Sequence, residues 1–306
     1  MTTPGQLDRY LGCLLGLASG DALGTTVEFS PRGSFAPLTD MVGGGPFDLP
    51  AGAWTDDCSM ALCLAHSLLH RQGFHAVDQM NRYCNWAELG YLSSTGECFD
   101  IGSTVARALA AYRGSGDPFS GSTDPSSAGN GSLMRLAPVP MYYWRDPARV
   151  IHFCGESART THGAPEAVDS TRLFGAQLRA ALAGADKETV LFRSGYQPGE
   201  PKVGAIAAGE WRGKDESAIR GSGYAVASLE AALWCFWQSE DFATAVLRAA
   251  NLGDDADTTA AICGQIAGAY YGVDSIPAHW RERLAMGEEI AGLATRLYQE
   301  REGGAD

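Results

Sequence analysis

Two short acidic strings constrain any fold this chain can adopt. Thr55-Asp56-Asp57 stands near the front and Asp254-Asp255-Ala256-Asp257-Thr258 near the back, and each runs into a long apolar stretch. The first stretch, through Met60, Leu62, Leu64 and Leu68, is apolar nearly all round; the second, 258–271, is alanine-rich. A helix that is apolar on every side belongs in the centre of a domain. A carboxylate is costly to bury there unless it is paired or bound to a cation. Two such clusters facing each other would form an oxygen-rich pocket suited to hard divalent ions.

Helical patterning continues through the rest of the chain. Residues 7–23 predict a helix whose small residues Gly12, Gly16 and Ala18 allow close packing. Further helices are expected over 55–69, 77–89, 104–111, 133–143, 147–154, 164–183 and 187–192, and then over 224–238, 242–250 and 258–271. Residues 198–223 read as turns with one short helix, and a last helical region falls between 276 and 297, ahead of a polar tail. No alternating run suggests a sheet, and no repeat or linker is evident. The expectation is a single all-α domain over 1–306. Two long loops interrupt it: 31–50, containing Gly43-Gly44-Gly45-Pro46, and 114–131, ending in Gly129-Asn130-Gly131-Ser132. Loops of this length in a compact domain are often lids or binding loops.

Charge narrows the function. The net charge of −13, from 23 basic and 36 acidic residues, argues against general nucleic-acid binding. A small phosphate-bearing ligand stays possible, received by a metal or by backbone donors. The apolar run 11–18 is flanked by Asp8 and Asp21 with only Arg9 basic nearby, which does not read as a secretory signal. No apolar run reaches membrane-spanning length. The eight cysteines contain no CxxC pair and read as reduced structural thiols. A cytoplasmic monomer is the expectation.

Individual residues carry the candidate chemistry. Asp56 and Asp57 fit the first turn of a helix, with Thr55 in the N-cap region adding an oxygen; the alternative is a plain capping sequence. Asp255, Asp257 and Thr258 repeat the pattern, Gly253 permits a tight approach, and Asp254 suits the solvent side. Carboxylate and hydroxyl oxygens favour magnesium or manganese. Glu28 could ligate metal or hold a ligand hydroxyl, against the alternative of an exposed loop acid. Asp100 has the same two readings, its alternative being an N-cap near Thr104. Gly129 to Ser132 could present N–H groups to a pyrophosphate at a helix start. His162 lies in a polar turn, with no nucleophile triad established. Tyr224, after Gly221-Ser222-Gly223, could stack on a base or ribose, or pack inward.

Taken together, these strings resemble the ADP-ribosylglycohydrolase family, in particular its bacterial branch that acts on ADP-ribosylated dinitrogen reductase. The matching pieces are Gly20-Asp21-Ala22-Leu23-Gly24 with Glu28, Trp54-Thr55-Asp56-Asp57, Asp100-Ile101-Gly102, and Gly129-Asn130-Gly131-Ser132-Leu133-Met134-Arg135. Thr161-His162, Gly221-Ser222-Gly223-Tyr224, Leu229-Glu230-Ala231-Ala232 and the stretch 251–260 follow in order. The resemblance implies an orthogonal helical bundle with two magnesium or manganese ions. It implies metal ligands at Thr55, Asp56, Asp57, Asp255, Asp257 and Thr258, and active-site acids at Asp100 and Glu28, the latter near the substrate ribose. It implies ligand contacts at Gly129, Asn130, Gly131, Ser132, His162 and Tyr224. The implied substrate is an ADP-ribosylated protein, with arginine-linked ADP-ribose favoured over other linkages or a small ADP-ribosyl compound. A metal-dependent ADP-ribose-binding module without turnover is the alternative class.

Overall fold

The computed structural model describes residues 4–303, and the all-α expectation is borne out: among these residues there are fourteen α-helices and no sheet. In chain order they are α1 (Gln6–Gly24), α2 (Asp56–Arg71), α3 (Ala76–Leu89), α4 (Ser103–Ser115), α5 (Pro138–Tyr142), α6 (Pro147–Arg159) and α7 (Pro165–Leu182). Then come α8 (Lys187–Phe192), α9 (Pro201–Ala208), α10 (Ala225–Trp237), α11 (Phe242–Ala250), α12 (Ala256–Tyr271), α13 (Ala278–Arg283) and α14 (Gly287–Gly303). Local chemistry explains many of the starts. Asp146 accepts from the N–H groups of Ala148 and Arg149 ahead of Pro147, and Asp241 caps α11 at Thr244.

The centre of the molecule is the pair α1 and α12. Glycine recurs every fourth residue along α1, at Gly12, Gly16, Gly20 and Gly24. A Cβ added at these positions would lie 2.3, 2.3, 2.1 and 2.4 Å from the carbonyl oxygens of Gly268, Gly264, Ala260 and Ala256. The two helices therefore run antiparallel with their backbones in contact, in a register that no side chain at the seam would permit. That register sets the end of α1 beside the start of α12, which is where the acids lie.

Two expectations are corrected. The stretch 133–143 is helical only over Pro138–Tyr142. Pro138 and Pro140 have no N–H to donate. Before them, the buried Gln265 of α12 donates to the carbonyls of Leu133 (3.0 Å) and Met134 (2.9 Å) and accepts from the Ala137 N–H (2.8 Å). The last helical region is two helices, α13 and α14, rather than one. The loop 31–50 is pinned through its middle. Asp40 binds His279 at 2.8 Å and Arg283 at 3.2 Å, and Gly45 packs directly on the Thr25 carbonyl.

Candidate active site

The site begins with a carboxylate inside the core. Asp21, near the end of α1, is fully buried. It accepts from the N–H groups of Thr55 (2.8 Å) and Cys58 (2.9 Å) and from the Thr55 hydroxyl (3.0 Å). Asp21 thus caps α2 from another helix. Thr55 holds the N-cap position of α2 but makes no side-chain cap bond, so the plain capping reading of this string fails. Its hydroxyl instead lies between Asp21 and Asp257 Oδ2, 3.2 Å away. Across the same gap the Thr258 hydroxyl donates to Asp57 Oδ1 at 3.2 Å. Front and rear clusters are therefore joined by two reciprocal threonine–aspartate contacts.

Above these pairs opens a cleft of about 490 Å³ lined by Glu28, Asp56, Asp100, Asp255, Asp257 and Thr258, among others. Thr55 and Asp57 lie beneath it, fully buried. Glu28, Asp100 and Asp257 each bring one carboxylate oxygen to within 4.8 Å of the other two. Glu28 is only 5% exposed, which removes the loop-acid reading. Asp100 is not a cap either: Gly102 occupies the N-cap of α4. Asp255 is held by the Asn130 side-chain amide at 2.7 Å, while Asp254 faces solvent. The loops carrying Glu28 and Asp255 are paired, Phe29 N–H to the Asp254 carbonyl and Asp254 N–H to the Ser30 carbonyl, both at 2.8 Å.

These acids crowd one another away from water. Burial first, and then mutual repulsion, lifts these acids far above their ordinary range. Glu28 rises to about 9 and Asp100 to about 7, and Asp56, Asp57 and Asp257 also rise well above the carboxylate range. Burial likewise raises Asp21 to about 7, its cap hydrogen bonds opposing the rise. The buried oxygens Glu28 Oε2, Asp57 Oδ2 and Asp257 Oδ1 have no hydrogen-bond partner among the described residues. Buried polar atoms are normally satisfied, and bare carboxylate oxygens in and directly beneath one cleft suit a hard divalent cation. The residues present fit such an ion.

The glycine-rich turn is not a helix start, because turns continue from it to Pro138. Gly129 and Asn130 also commit their N–H groups, to the carbonyls of Ser127 (2.7 Å) and Gly223 (3.0 Å). Gly131 and Ser132 follow as the remaining backbone candidates. The Ser132 hydroxyl is turned inward to Thr171 at 2.7 Å. His162 lies directly under the turn, where a Cβ at Gly131 would stand 2.6 Å from the ring. Burial, and then the charge of Arg135, drive its pKa down to about 3, so the ring is neutral. Arg135 donates to the Thr161 hydroxyl (2.7 Å), which contacts His162 Nδ1 (2.8 Å).

Tyr224 does not line the acid cleft. It lies in an adjoining recess of about 780 Å³ that shares the walls Ser103, Thr104, Gly129 and Gly223 with the cleft. Its hydroxyl donates to Glu166 and accepts from Lys202 at 2.9 Å, and Lys202 pairs with Glu166 at 3.0 Å. Asp21 and Arg135 stand in the family-matching strings without a role, and Glu166 and Lys202 have no sequence signal at all. An acid inside the apolar run 11–24 was a readable signal for Asp21. Nothing in the local sequence links Glu166 or Lys202 to Tyr224.

Comparison with known proteins settles the family. Residues 2–306 match the family profile described as ADP-ribosylglycohydrolase. The chain belongs to the ADP-ribosylglycohydrolase family. It is 46% identical to ADP-ribosylarginine hydrolase Tri1 of Pseudomonas putida (strain GB-1), over 97% of this chain and 80% of that protein. It is 31% identical to ADP-ribosyl-[dinitrogen reductase] glycohydrolase of Rhodospirillum rubrum, over 94% of this chain and 93% of the other. A solved structure described as an ADP-ribosylglycohydrolase-related protein complex superposes with a TM-score of 0.87 at 44% identity, covering 97% of this chain and 99% of its own. Family membership agrees with the fold, and the chain is a hydrolase of the ADP-ribosylglycohydrolase type. Among the described residues, no helix is long and apolar enough to cross a membrane.

Proposed function

We propose that this chain is a metal-dependent hydrolase that removes ADP-ribose from ADP-ribosylated arginine side chains of proteins. The observation that carries the reading is the set of buried, unpartnered carboxylate oxygens where two helix starts meet. Relatives named as ADP-ribosylarginine hydrolases, 46% and 42% identical, support the linkage.

Thr55, Asp56, Asp57, Asp255, Asp257 and Thr258 would hold two divalent ions, magnesium or manganese. Bound there, such ions polarise ligand oxygens and lower the pKa of water. The remaining work falls to the chain's own residues. Glu28 and Asp100 are the acids placed to move a proton at the glycosidic linkage. Both line the acid cleft, and a carboxyl whose pKa is tuned by its neighbours and by bound ions is able to move a proton. The carbon–nitrogen bond between ribose and guanidino group breaks, water supplies the new hydroxyl on the ribose, and the proton goes to the leaving nitrogen. The N–H groups of Gly131 and Ser132 face the diphosphate, with Gly129 and Asn130 shaping the turn. His162, neutral beneath the turn, supports it without adding charge. Tyr224 offers a ring to the nucleoside in the adjoining recess, oriented by Glu166 and Lys202. The setting we propose is a cytoplasmic monomer.

The test is release of ADP-ribose, followed by mass spectrometry, from one protein modified on arginine and another modified on serine, with manganese present. Release from the arginine sample, with little from the serine sample, is expected. Release only from serine would move the assignment to another linkage. No release from either sample, with ADP-ribose binding intact, would make the protein a binding module.

A further inference from the structure

Three aromatic rings from two loops, the α1–α2 and α3–α4 connections, meet at the mouth of the acid cleft. Phe29 packs edge-on to Phe47 at 6.4 Å between centroids, and Phe47 meets Phe99 at 5.3 Å. Phe47 lies in the short turn closed by Gly44 and Leu49, which exchange hydrogen bonds of 2.7 and 3.0 Å. Phe99 immediately precedes Asp100, and Phe29 immediately follows Glu28. Of the three, Phe29 lines the cleft itself.

Folding alone does not account for Phe29. The residue is 66% exposed. Its backbone sits at φ 60°, a left-handed conformation that a bulky side chain enters at a cost and that Gly or Asn would occupy more easily. The backbone is nonetheless locked there by the hydrogen bonds of Phe29 and Ser30 to Asp254. Strain and exposure together mark a side chain kept for what it meets outside the core.

The surroundings identify what it meets. The cleft wall beside Phe29 carries Glu28, Asp56, Asp100, Asp255 and Asp257, and no lysine or arginine lies among its lining residues. An exposed aromatic face with no lysine or arginine competing beside it is a receptor for a planar cation, and guanidinium stacks on such a face better than an ammonium or an alcohol does. We propose that Phe29, braced by Phe47 and Phe99, receives the guanidino group of the modified arginine and so selects arginine-linked substrates over hydroxyl-linked ones. This rests on the arginine reading above. It goes further by assigning the leaving group to the Phe29 side of the cleft, away from the recess that holds Tyr224.

The experiment uses ADP-ribosylarginine as the small substrate and free ADP-ribose, which lacks the guanidino group, as the control ligand. Phe29→Leu keeps an apolar side chain but loses the ring. It should raise KM for ADP-ribosylarginine about threefold to thirtyfold, the range expected for losing a cation–π contact. The Kd for ADP-ribose should stay within about twofold on the same grounds, since the control ligand makes no such contact. Phe29→Tyr should restore the wild-type KM. Phe29→Asn suits the left-handed backbone and serves as a second ringless variant in case Phe29→Leu folds poorly. An unchanged KM in either ringless variant overturns the proposal. An equal loss of ADP-ribose affinity overturns it too, because the ring would then support the ribose end. If the wild-type enzyme leaves ADP-ribosylarginine intact, the arginine reading fails first and the aromatic assignment falls with it. Wild-type turnover with indifferent Phe29 variants defeats the aromatic assignment alone.

Discussion

Glycine is used in opposite ways in two parts of this molecule. Along the α1–α12 seam, glycines with ordinary helical dihedrals are present because any side chain would strike the facing backbone. At the mouth of the cleft, three positions with left-handed dihedrals, where glycine would be easiest, carry Phe29, Asp100 and Asp254 instead, at φ 60°, 54° and 55°. Each such residue costs on the order of 1–3 kcal/mol. The seam removes side chains to gain close packing. The cleft mouth keeps side chains at the expense of backbone comfort. Stability is concentrated in the first region and chemistry in the second, and the register of the first delivers the acids to the second.

The sharpest way to break that contrast is to place a side chain in the seam. Gly20→Ala sets a methyl 2.1 Å from the Ala260 carbonyl oxygen, with backbone on both sides. It should lose roughly 4 kcal/mol or more, the range of severe overpacking. Urea denaturation followed by far-ultraviolet circular dichroism measures this, and a loss under about 1 kcal/mol would show that the seam can open.

Next in size is the joint between the two regions. Asp21→Ala leaves the buried N–H groups of Thr55 and Cys58 without their acceptor. A loss of about 2–4 kcal/mol is expected, given that each stranded buried donor costs about 1–3 kcal/mol. Manganese affinity should weaken in parallel, because α2 then frays where Asp56 and Asp57 begin. Calorimetric titration of the same variant checks this; an unaltered affinity would separate the cap from the site.

Within the site the sign should reverse. Asp257→Asn removes one acid, whose charged form burial and its neighbours disfavour, from a crowded, desolvated group while keeping the side chain's shape. The metal-stripped protein should gain about 1–2 kcal/mol, as when an uncompensated buried charge is relieved. The same variant should lose its stabilisation by manganese and its turnover. Thermal unfolding with and without manganese tests both halves, and a destabilised metal-free variant would mean that the Thr55 contact outweighs the repulsion.

The smallest expected effect concerns His162. In the unfolded chain it takes up a proton near pH 6.5, whereas the folded site refuses one until about 3. Between these values the unfolded state binds more protons, so stability rises with pH and is lost as pH falls. Going from pH 7 to 5.5 should cost about 1 kcal/mol through this residue. His162→Asn should remove that share of the slope in urea midpoints taken across the range, and an identical slope would place the titrating group elsewhere.

Most of the helices were legible because apolar spacing and capping residues are local signals. The starts of α2 and α12 were marked by Asp56-Asp57 and Asp255-Asp257, and α6, α8 and α11 lie close to where their sequences put them. The stretch 133–143 departs from its apolar pattern because Pro138 and Pro140 have no N–H for a helix, and because the partner that holds it, Gln265, is more than a hundred residues away. Local chemistry could not tell Glu28 and Asp100 from ordinary loop and cap acids, and beside the family resemblance only burial and a shared cleft distinguish them.

The sequence by itself determined a helical domain, two helix starts rich in acid, and a four-residue glycine period on α1. These follow from short-range sterics and hydrogen bonding, which adjacent residues set between themselves. Only the tertiary structure decided that α12 is the partner of those glycines, that Asp21 caps a different helix, and that Thr55 meets Asp257 while Thr258 meets Asp57. It also decided that Tyr224 belongs to the neighbouring recess and that Phe29, Phe47 and Phe99 share one rim. Such pairings join residues two hundred positions apart and more. Chain spacing carries no information about them, because they come into being only when the backbones of α1 and α12 close on each other.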